Sequence, residues 1–241
     1  MTISEVSITF GAESRRLKYR KGSSDEATVS QVFVDRCYDL SWLKRFDEFR
    51  RLAEAKAREG RRPLIVDCGA NIGAASLFFA MNVRGAAVAA VEPSRENYEL
   101  LVENTQGLDV RTFHAAIAAA PGRMQVLPGE GSYDSFRTRA ADALSGPADT
   151  VPALTVPDIL AAYGDGYFPF IVKVDIEGGE KDLFSANTGW VADVPILVIE
   201  LHDWLLPAAG TALPFLRCVA ALDRDFLVRG ENVFSLAAPR G

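Results

Sequence analysis

The sequence has little that would suit an exported, membrane-bound or disulfide-stabilised protein. Its three cysteines, Cys37, Cys68 and Cys218, are far apart and show no Cys-x-x-Cys spacing. Neither a disulfide framework nor a zinc knuckle is expected. The first ten residues lack the basic and apolar regions of a signal peptide, and no apolar run approaches the roughly 18 residues of a membrane-spanning helix. We therefore expect a cytoplasmic protein without a membrane anchor.

Positive charge is also scarce. The 241 residues carry 26 Lys and Arg against 32 Asp and Glu, which gives a formal net charge of -6. Because affinity for nucleic acid depends on clustered Lys and Arg, DNA and long RNA are not expected partners. A homo-oligomer stays possible.

Hydrophobic residues make up 49% of the chain, enough for one sizeable core. Residues 1–60 are expected to form an N-terminal extension, in which Phe46, Phe49, Leu52 and Ala53 recur at helical spacing. Residues 61–241 are expected to form the main domain. Within it, residues 129–157 are rich in Gly, Ser, Ala, Asp and Pro, which predicts a lid or a mobile loop.

Short apolar runs alternate with helix-length segments in the main domain. The runs are residues 64–66, 87–91, 170–174 and 196–199, and the segments are residues 74–82, 95–105 and 179–186. This alternation predicts an α/β fold with a mostly parallel sheet and helices on both faces. Residues 226–229 and 233–236 flank a turn and predict a C-terminal antiparallel hairpin.

A glycine-containing turn follows the first apolar run. Gly69 and Gly73 allow the backbone to turn sharply and a ligand to approach closely. Asp67 is expected to orient the turn and face a cationic ligand group, and Asn71 can both donate and accept hydrogen bonds. The run lacks the complete glycine pattern that receives a pyrophosphate, which counts against a dinucleotide. In a purely structural alternative, Asp67 caps a helix and Gly73 packs it on a strand.

Glu92 ends the second predicted strand, about 20 residues after the glycine turn. An acidic side chain at that position can accept hydrogen bonds from both hydroxyls of a ribose. The glycine turn and Glu92 together indicate a cofactor that contains adenosine.

A second acidic cluster follows the later strands. Lys173 and Asp175 share one face of a strand, and Glu200 and His202 share one face of the next. Asp175 and His202 are candidate general bases, with His202 preferred because histidine titrates near neutral pH. Lys173 is expected to neutralise a carboxylate. His202 can equally be a structural hydrogen-bonding group.

The same cluster could hold a hard divalent metal ion. Its candidate ligands are Asp175, Glu177, Glu200 and His202. Nothing in their spacing requires an ion, and we expect metal independence.

The chain resembles the FkbM-type methyltransferases. The likeness extends from about residue 24 and is carried by residues 67–73, 91–98, 173–180 and 199–202, with a lead-in at residues 24–26 and 31–33. It implies a seven-stranded Rossmann-like fold, S-adenosylmethionine as methyl donor, and O-methylation of a hydroxyl on a sugar, polyketide or other natural product. By motif match, the residues at the methionine end are Asp67, Gly69, Asn71 and Gly73, and those at the ribose are Glu92 and Asn97.

The resemblance leaves the acceptor open. Tyr133, Ser135 and Phe136 could cover it or could be ordinary packing residues. Trp204 and Leu205 could form an acceptor wall or a subunit contact. Three alternatives to O-methylation are an N- or peptide methyltransferase, a nicotinamide-dependent oxidoreductase, and a protein that binds S-adenosylmethionine without catalysis.

Overall fold

The computed structural model describes residues 2–127, 137–141, 146 and 150–238. The strands are β1 (Ile3–Phe10), β2 (Glu13–Arg20), β3 (Arg62–Cys68), β4 (Ala87–Glu92), β5 (Val110–His114), β6 (Ala116–Ile117), β7 (Gly122–Leu127), β8 (Arg137–Ala140), β9 (Thr150–Leu154), β10 (Tyr167–Val174), β11 (Ile196–Glu200), β12 (Arg224–Arg229) and β13 (Asn232–Ala237). The α-helices are α1 (Asp25–Val29), α2 (Phe46–Arg58), α3 (Ala74–Asn82), α4 (Arg95–Asn104), α5 (Val156–Tyr163), α6 (Glu180–Leu183) and α7 (Leu213–Ala220).

The predicted α/β fold is confirmed. The central sheet has seven strands in the order β12-β13-β11-β10-β3-β4-β5. The five strands from β11 to β5 pair in parallel, whereas β13 pairs antiparallel to both β11 and β12. The hairpin therefore extends one edge of a parallel sheet, with β13 placed between β12 and β11. Because parallel strands all end at the same edge, the ends of β3, β4, β10 and β11 lie together.

Both faces of the sheet are buried. On one face, Ile65 and Val198 pack with Phe79 of α3 and with residues of the N-terminal extension. On the other face, Val66 and Ile199 pack with helices α5 to α7. Burial on two sides explains why β3, β10 and β11 are almost continuously apolar.

The N-terminal extension contributes to the core. It contains the β1–β2 hairpin, α1, a π-helical turn over Ser30–Val34, and α2. Leu17, Val32 and Leu43 are buried in the same cluster as Ile65. The sequence predicted α2 from its helical spacing but not the hairpin, because residues 1–45 show no sustained period.

A second sheet lies beside the first, with the strand order β6-β9-β7-β8. Strands β8 and β9 fall within residues 129–157, where irregular chain was expected. Val151 and Ala153 of β9 are buried against neighbours from β6 and β7, so packing outweighs the weak local pattern. Tyr133, Ser135 and Phe136 lie outside the described residues, and the function of this segment as a lid stays a prediction. No helix in the described part of the chain combines the length and apolarity needed to cross a bilayer.

Candidate active site

A cavity of about 650 Å³ opens at the edge of the sheet where β3, β4, β10 and β11 end. The turn after β3 contributes Gly69, Ala70 and Asn71 to its wall, and β4 contributes Glu92. Residues that follow β10 and β11 add Asp175, Ile176, Glu177, Glu200, Trp204 and Leu205. The structure therefore brings both predicted clusters to one cavity, as expected from the shared edge of a parallel sheet.

The turn after β3 lies directly against the end of β10. Gly69 has a φ of 78°, and a Cβ atom there would collide with the backbone carbonyl oxygen of Asp175. Asn71 also has a left-handed backbone, with a φ of 50°, which is a strained conformation for a residue other than glycine. The Oδ1 atom of Asn71 is buried and has no hydrogen-bond partner among the described residues. A buried acceptor at the wall of a cavity is available to a ligand.

Gly73 has a structural function. It precedes α3 with a φ of 88°, and a Cβ atom there would lie 2.8 Å from the Leu101 side chain on α4. Gly73 is not among the residues that line the cavity. The expectation that it contacts the methionine end is therefore revised, because its lack of a side chain serves the packing of α3 on α4.

Asp67 and Lys173 form a buried ion pair beneath the cavity. The Lys173 Nζ atom lies 3.1 Å from Asp67 Oδ1 and 3.5 Å from Asp175 Oδ2, and it donates a 2.7 Å hydrogen bond to the Gly69 carbonyl oxygen. Burial alone would lower the pKa of Lys173, but Asp67, Tyr38 and Asp175 together outweigh burial and raise the pKa. Lys173 therefore neutralises carboxylates, as predicted.

Asp67 does not line the cavity. Its other carboxylate oxygen accepts a 2.6 Å hydrogen bond from Ser76 on α3, and the residue is completely buried. The predicted contact with a cationic ligand is therefore replaced by a supporting function, in which Asp67 joins β3, α3 and Lys173.

Glu92 lies in the cavity wall at the end of β4. Its two carboxylate oxygens accept 2.8 Å hydrogen bonds from the backbone N–H groups of Asn71 and Ser94. Asn97 is a further hydrogen-bonding partner of this carboxylate, and both residues line the cavity. Burial raises the pKa of Glu92 to about 7, although these hydrogen bonds oppose the shift. These three donors use all but about one of the lone-pair sites of the carboxylate, and the remaining site is available to a ligand hydroxyl.

The N-terminal extension fixes Asn97. Arg20 donates 2.8 Å hydrogen bonds to both oxygens of Asp25 and a 2.5 Å hydrogen bond to Asn97 Oδ1. Arg20 and Asp25 are almost fully buried. The extension also lines the cavity with Thr28, Gln31, Val32, Asp35, Cys37 and Tyr38. Sequence reasoning assigned none of these residues to the site, although the lead-in segments of the family resemblance lie among them.

The second acidic cluster surrounds His202. The Nδ1 atom of His202 lies 2.8 Å from Glu180 Oε1, and its Nε2 atom lies 3.5 to 3.7 Å from carboxylate oxygens of Asp175, Glu177 and Glu200. Glu177 has a φ of 55°, so a strained backbone turns its side chain toward the cluster. Glu180 joins the candidate residues through its contact with His202, and Glu177 was already a candidate ligand.

The surroundings of His202 bear on the predicted general base. Burial would lower the pKa of His202, but the hydrogen bond with Glu180 and the charges of Glu180, Asp175 and Glu177 together outweigh burial, and the pKa is raised to about 9. A histidine that is protonated at neutral pH cannot accept a proton, so this pKa disfavours His202 as the base, whose assignment stays a prediction. Burial and the neighbouring Asp175 raise the pKa of Glu200 to about 7. The carboxylates that face the cavity are therefore the better proton acceptors.

Comparison with known proteins supports the family resemblance that the sequence motifs indicate. The family described as the methyltransferase FkbM domain matches residues 67–221. Methyltransferase sdnD of Sordaria araneosa is 26% identical over 206 residues, which cover 72% of this chain and 73% of that protein. The family match includes the turn after β3, Glu92 and the second acidic cluster.

The solved methyltransferase structures have lower sequence identity to this chain than sdnD has. An O-methyltransferase from Bacillus cereus in complex with S-adenosylhomocysteine has a TM-score of 0.43 at 12% identity, covering 90% of this chain and 91% of that chain. A methyltransferase from Geobacter sulfurreducens has a TM-score of 0.36 at 16% identity, covering 90% of each chain. These scores are too low to support an argument. The family match over residues 67–221 is decisive, and the chain belongs to the FkbM family of S-adenosylmethionine-dependent methyltransferases.

Proposed function

We propose that this protein transfers a methyl group to a hydroxyl oxygen of a small molecule, such as a sugar, a polyketide or another natural product. The supporting observation is that Asp175, Glu177 and Glu200 face the same cavity beside His202. A hydroxyl must lose its proton to become a good nucleophile, whereas a neutral amine already has a free lone pair. Several proton-accepting groups at one point of the cavity therefore favour an oxygen acceptor.

The cavity wall is compatible with S-adenosylmethionine. At one end, Glu92 and Asn97 would hold the ribose hydroxyls. The turn after β3 would hold the methionine part, where the buried Asn71 Oδ1 offers an acceptor to an ammonium group. The close approach to Asp175 requires glycine at position 69, so this part of the turn has no side chain. We infer that Asp67 and Gly73 support this arrangement from outside the cavity.

The chain's own residues would orient the acceptor and remove its proton. Glu200 or Asp175 would accept the hydroxyl proton, while Lys173 fixes the Asp175 carboxylate from behind. S-adenosylmethionine supplies a methyl group on a cationic sulfur, and the carbon–sulfur bond electrons stay with sulfur when the methyl bonds to the acceptor oxygen. Placing the acceptor and donor in line would provide much of the rate enhancement.

The size of the cavity is compatible with a small acceptor. Its volume of about 650 Å³ is within the range of small-molecule sites. The exposed Trp204 and the neighbouring Leu205 lie in its wall and would provide an apolar surface for the acceptor.

Transfer of a labelled methyl group to matched hydroxyl and amine acceptors tests the proposal. We expect label on hydroxyl acceptors, and Glu200→Gln should lower kcat at least about a hundredfold because a proton acceptor is lost. Asp109→Asn is the control, because Asp109 pairs with Arg62 at the opposite edge of the sheet and should leave kcat unchanged. Label confined to amines, or full activity of Glu200→Gln, would contradict O-methylation by these groups.

A further inference from the structure

Three residues at the ends of β10 and β11 have the arrangement of a ligand set. One carboxylate oxygen of Asp175, one of Glu200 and one ring nitrogen of His202 all lie within 4.8 Å of one another. Glu177 adds a carboxylate oxygen 3.7 Å from His202 Nε2. Asp175, Glu177 and Glu200 line the cavity, so an ion bound among them would be accessible to a second ligand there.

The distances around His202 Nε2 are too long for ordinary hydrogen bonds. They measure 3.5 Å to Glu200, 3.6 Å to Asp175 and 3.7 Å to Glu177, and hydrogen bonds to nitrogen cluster near about 2.9 Å. Two ligands of one ion, each bound at about 2.1 Å, lie about 3 to 3.5 Å apart. The distances from Nε2 to the three carboxylate oxygens are therefore closer to the distance between two ligand atoms of one ion than to a hydrogen-bond distance.

His202 is held in the orientation that a metal ligand needs. It is 1% exposed, and its Nδ1 atom is fixed at 2.8 Å from Glu180, which is itself completely buried. Histidine ligands usually bind a carboxylate or carbonyl through the second ring nitrogen, which fixes the tautomer and directs the first nitrogen at the ion. Glu180 provides that contact here, and Nε2 points into the carboxylate cluster.

The cluster also carries excess negative charge. Five carboxylates, those of Asp67, Asp175, Glu177, Glu180 and Glu200, are associated with two cationic groups, Lys173 and His202. Carboxylates therefore outnumber the cationic groups of this cluster in a largely buried region. Such a concentration of charge requires a cationic ligand or extensive protonation.

We propose that Asp175, Glu200 and His202, assisted by Glu177, bind one divalent first-row metal ion such as Mn²⁺. An imidazole nitrogen together with carboxylate oxygens suits such an ion better than Ca²⁺, which takes oxygen ligands. The proposal replaces the expectation of metal independence. That expectation was based on spacing along the chain, whereas the strand ends and the strained Glu177 backbone create the ligand set in space.

The function of the ion rests on the proposed O-methylation. When bound, it would supply a Lewis acid that lowers the pKa of an acceptor hydroxyl. Glu200 would bind through one oxygen, which leaves its second oxygen to accept the hydroxyl proton, whereas the second oxygen of Asp175 faces Lys173. No oxidation or reduction is involved. The favoured acceptors would be small molecules whose hydroxyl can enter the coordination sphere.

Titration of the full-length protein with MnCl₂ alone, by calorimetry and by the electron paramagnetic resonance signal of free Mn²⁺, tests the site without an activity assay. We expect one ion per chain. Glu200→Gln and Asp175→Asn should each weaken binding at least about thirtyfold through loss of a ligand. Glu231→Gln is the matched control, because Glu231 lines the same cavity outside the ligand set. It should weaken binding less than about threefold, since a nearby charge is lost but no ligand atom is removed.

S-adenosylhomocysteine is titrated into the same samples to report on folding and on the cofactor site. Absence of saturable Mn²⁺ binding in protein that binds S-adenosylhomocysteine would overturn the metal site and leave the proposed methyl transfer intact. Equal weakening by Glu231→Gln and Glu200→Gln would also overturn it, because general charge would then explain the binding. Mn²⁺ binding without S-adenosylhomocysteine binding would support the metal site and contradict the proposed cofactor site.

Discussion

Glu92 combines burial with a fixed hydrogen-bonding environment. Two backbone N–H groups and Asn97 hold its carboxylate at the cavity wall, yet burial still raises its pKa to about 7. Its ordinary value is 4.5, so the folded protein binds this proton more tightly than the unfolded chain does. The stabilisation from the bound proton is present below about pH 4.5 and is lost as the pH rises through about 7.

Cofactor binding should therefore depend on pH through Glu92. Ribose hydroxyls donate hydrogen bonds to the ionised carboxylate, so S-adenosylhomocysteine should bind about tenfold more tightly at pH 8 than at pH 6 when the pKa lies near 7. Calorimetry at the two pH values measures this difference. Glu200 titrates in the same range, so Glu200→Gln is the control and should keep the dependence, whereas Glu92→Gln should lose it. If Glu92→Gln keeps the pH dependence of binding and Glu200→Gln loses it, Glu92 does not bind the ribose.

The pair of Asp67 and Lys173 should be important for stability. Both side chains are almost fully buried, and Asp67→Asn leaves Lys173 without its nearest carboxylate. We expect a loss of about 3 kcal/mol in the free energy of unfolding, measured with urea. Glu54→Gln is the control, because it breaks an exposed pair with Arg50 and should cost less than about 0.5 kcal/mol. Equal losses of unfolding free energy in Asp67→Asn and Glu54→Gln would show that the buried pair of Asp67 and Lys173 does not stabilise the fold.

Individual site residues were predictable to different extents. Glu92, Asp175 and Glu200 follow apolar strands, and the shared edge of a parallel sheet brings strand ends together. The sequence could not show that Asp67 points beneath the cavity or that Gly73 packs against Leu101, because both depend on how α3 sits on its neighbours. The protonation of His202 depends on Glu180, whose contact with it is established only by the fold.

At the level of elements, the turn after β3 depends on close packing against β10. Gly69 and Gly85 have similar φ values of 78° and 74°, but only Gly69 has a neighbour that a Cβ atom would strike. Comparison of alanine substitutions at Gly69 and Gly85 therefore separates the cost of a left-handed backbone from the cost of a collision with β10.

Gly69→Ala should cost at least about 2 kcal/mol more unfolding free energy than Gly85→Ala, which bears only the left-handed penalty of about 1–2 kcal/mol. Urea unfolding measures both. Gly69→Ala should also weaken S-adenosylhomocysteine binding, since the turn must move away from Asp175. Equal costs would show that the approach to β10 is not a constraint.

The N-terminal hairpin and α1 should control cofactor affinity through Arg20. Arg20→Met leaves Asp25 buried without its partner and should destabilise the fold by about 3–5 kcal/mol. The double change Arg20→Met and Asp25→Leu should recover much of that loss, because an apolar pair can replace a buried ion pair. Asn97 still loses its 2.5 Å hydrogen bond in both variants.

Calorimetry separates the two effects. We expect about tenfold weaker S-adenosylhomocysteine binding in the double variant despite its recovered stability, which corresponds to the loss of about one good hydrogen bond. Wild-type affinity in the double variant would show that Arg20 serves folding alone.

Elements with strong periodic patterns were predicted well, and the others were not. The helix over Ala74–Asn82 and the four buried strands follow from continuous apolar runs, and the C-terminal hairpin follows from its turn. The β1–β2 hairpin and the β6-β9-β7-β8 sheet were missed, because their burial comes from partners distant in sequence. The missed elements include the N-terminal wall of the cavity.

On the scale of the whole molecule, the parallel sheet accounts for the site. Its shared edge brings together Glu92 from β4 and the acidic residues that follow β10 and β11, while the extension closes the remaining side. The sequence predicted this edge as a binding site. The acceptor's identity depends on the side chains of the cavity wall, which the strand pattern does not specify.

Titration of the purified protein with S-adenosylhomocysteine, with nicotinamide dinucleotides as controls, tests the central claim most directly. We predict micromolar binding at one site per chain, no dinucleotide binding, and at least about tenfold weaker binding in Glu92→Ala, because the ribose hydroxyls lose their acceptor. Unchanged affinity in Glu92→Ala, or no binding by the wild-type protein, would contradict the placement of the cofactor in this cavity.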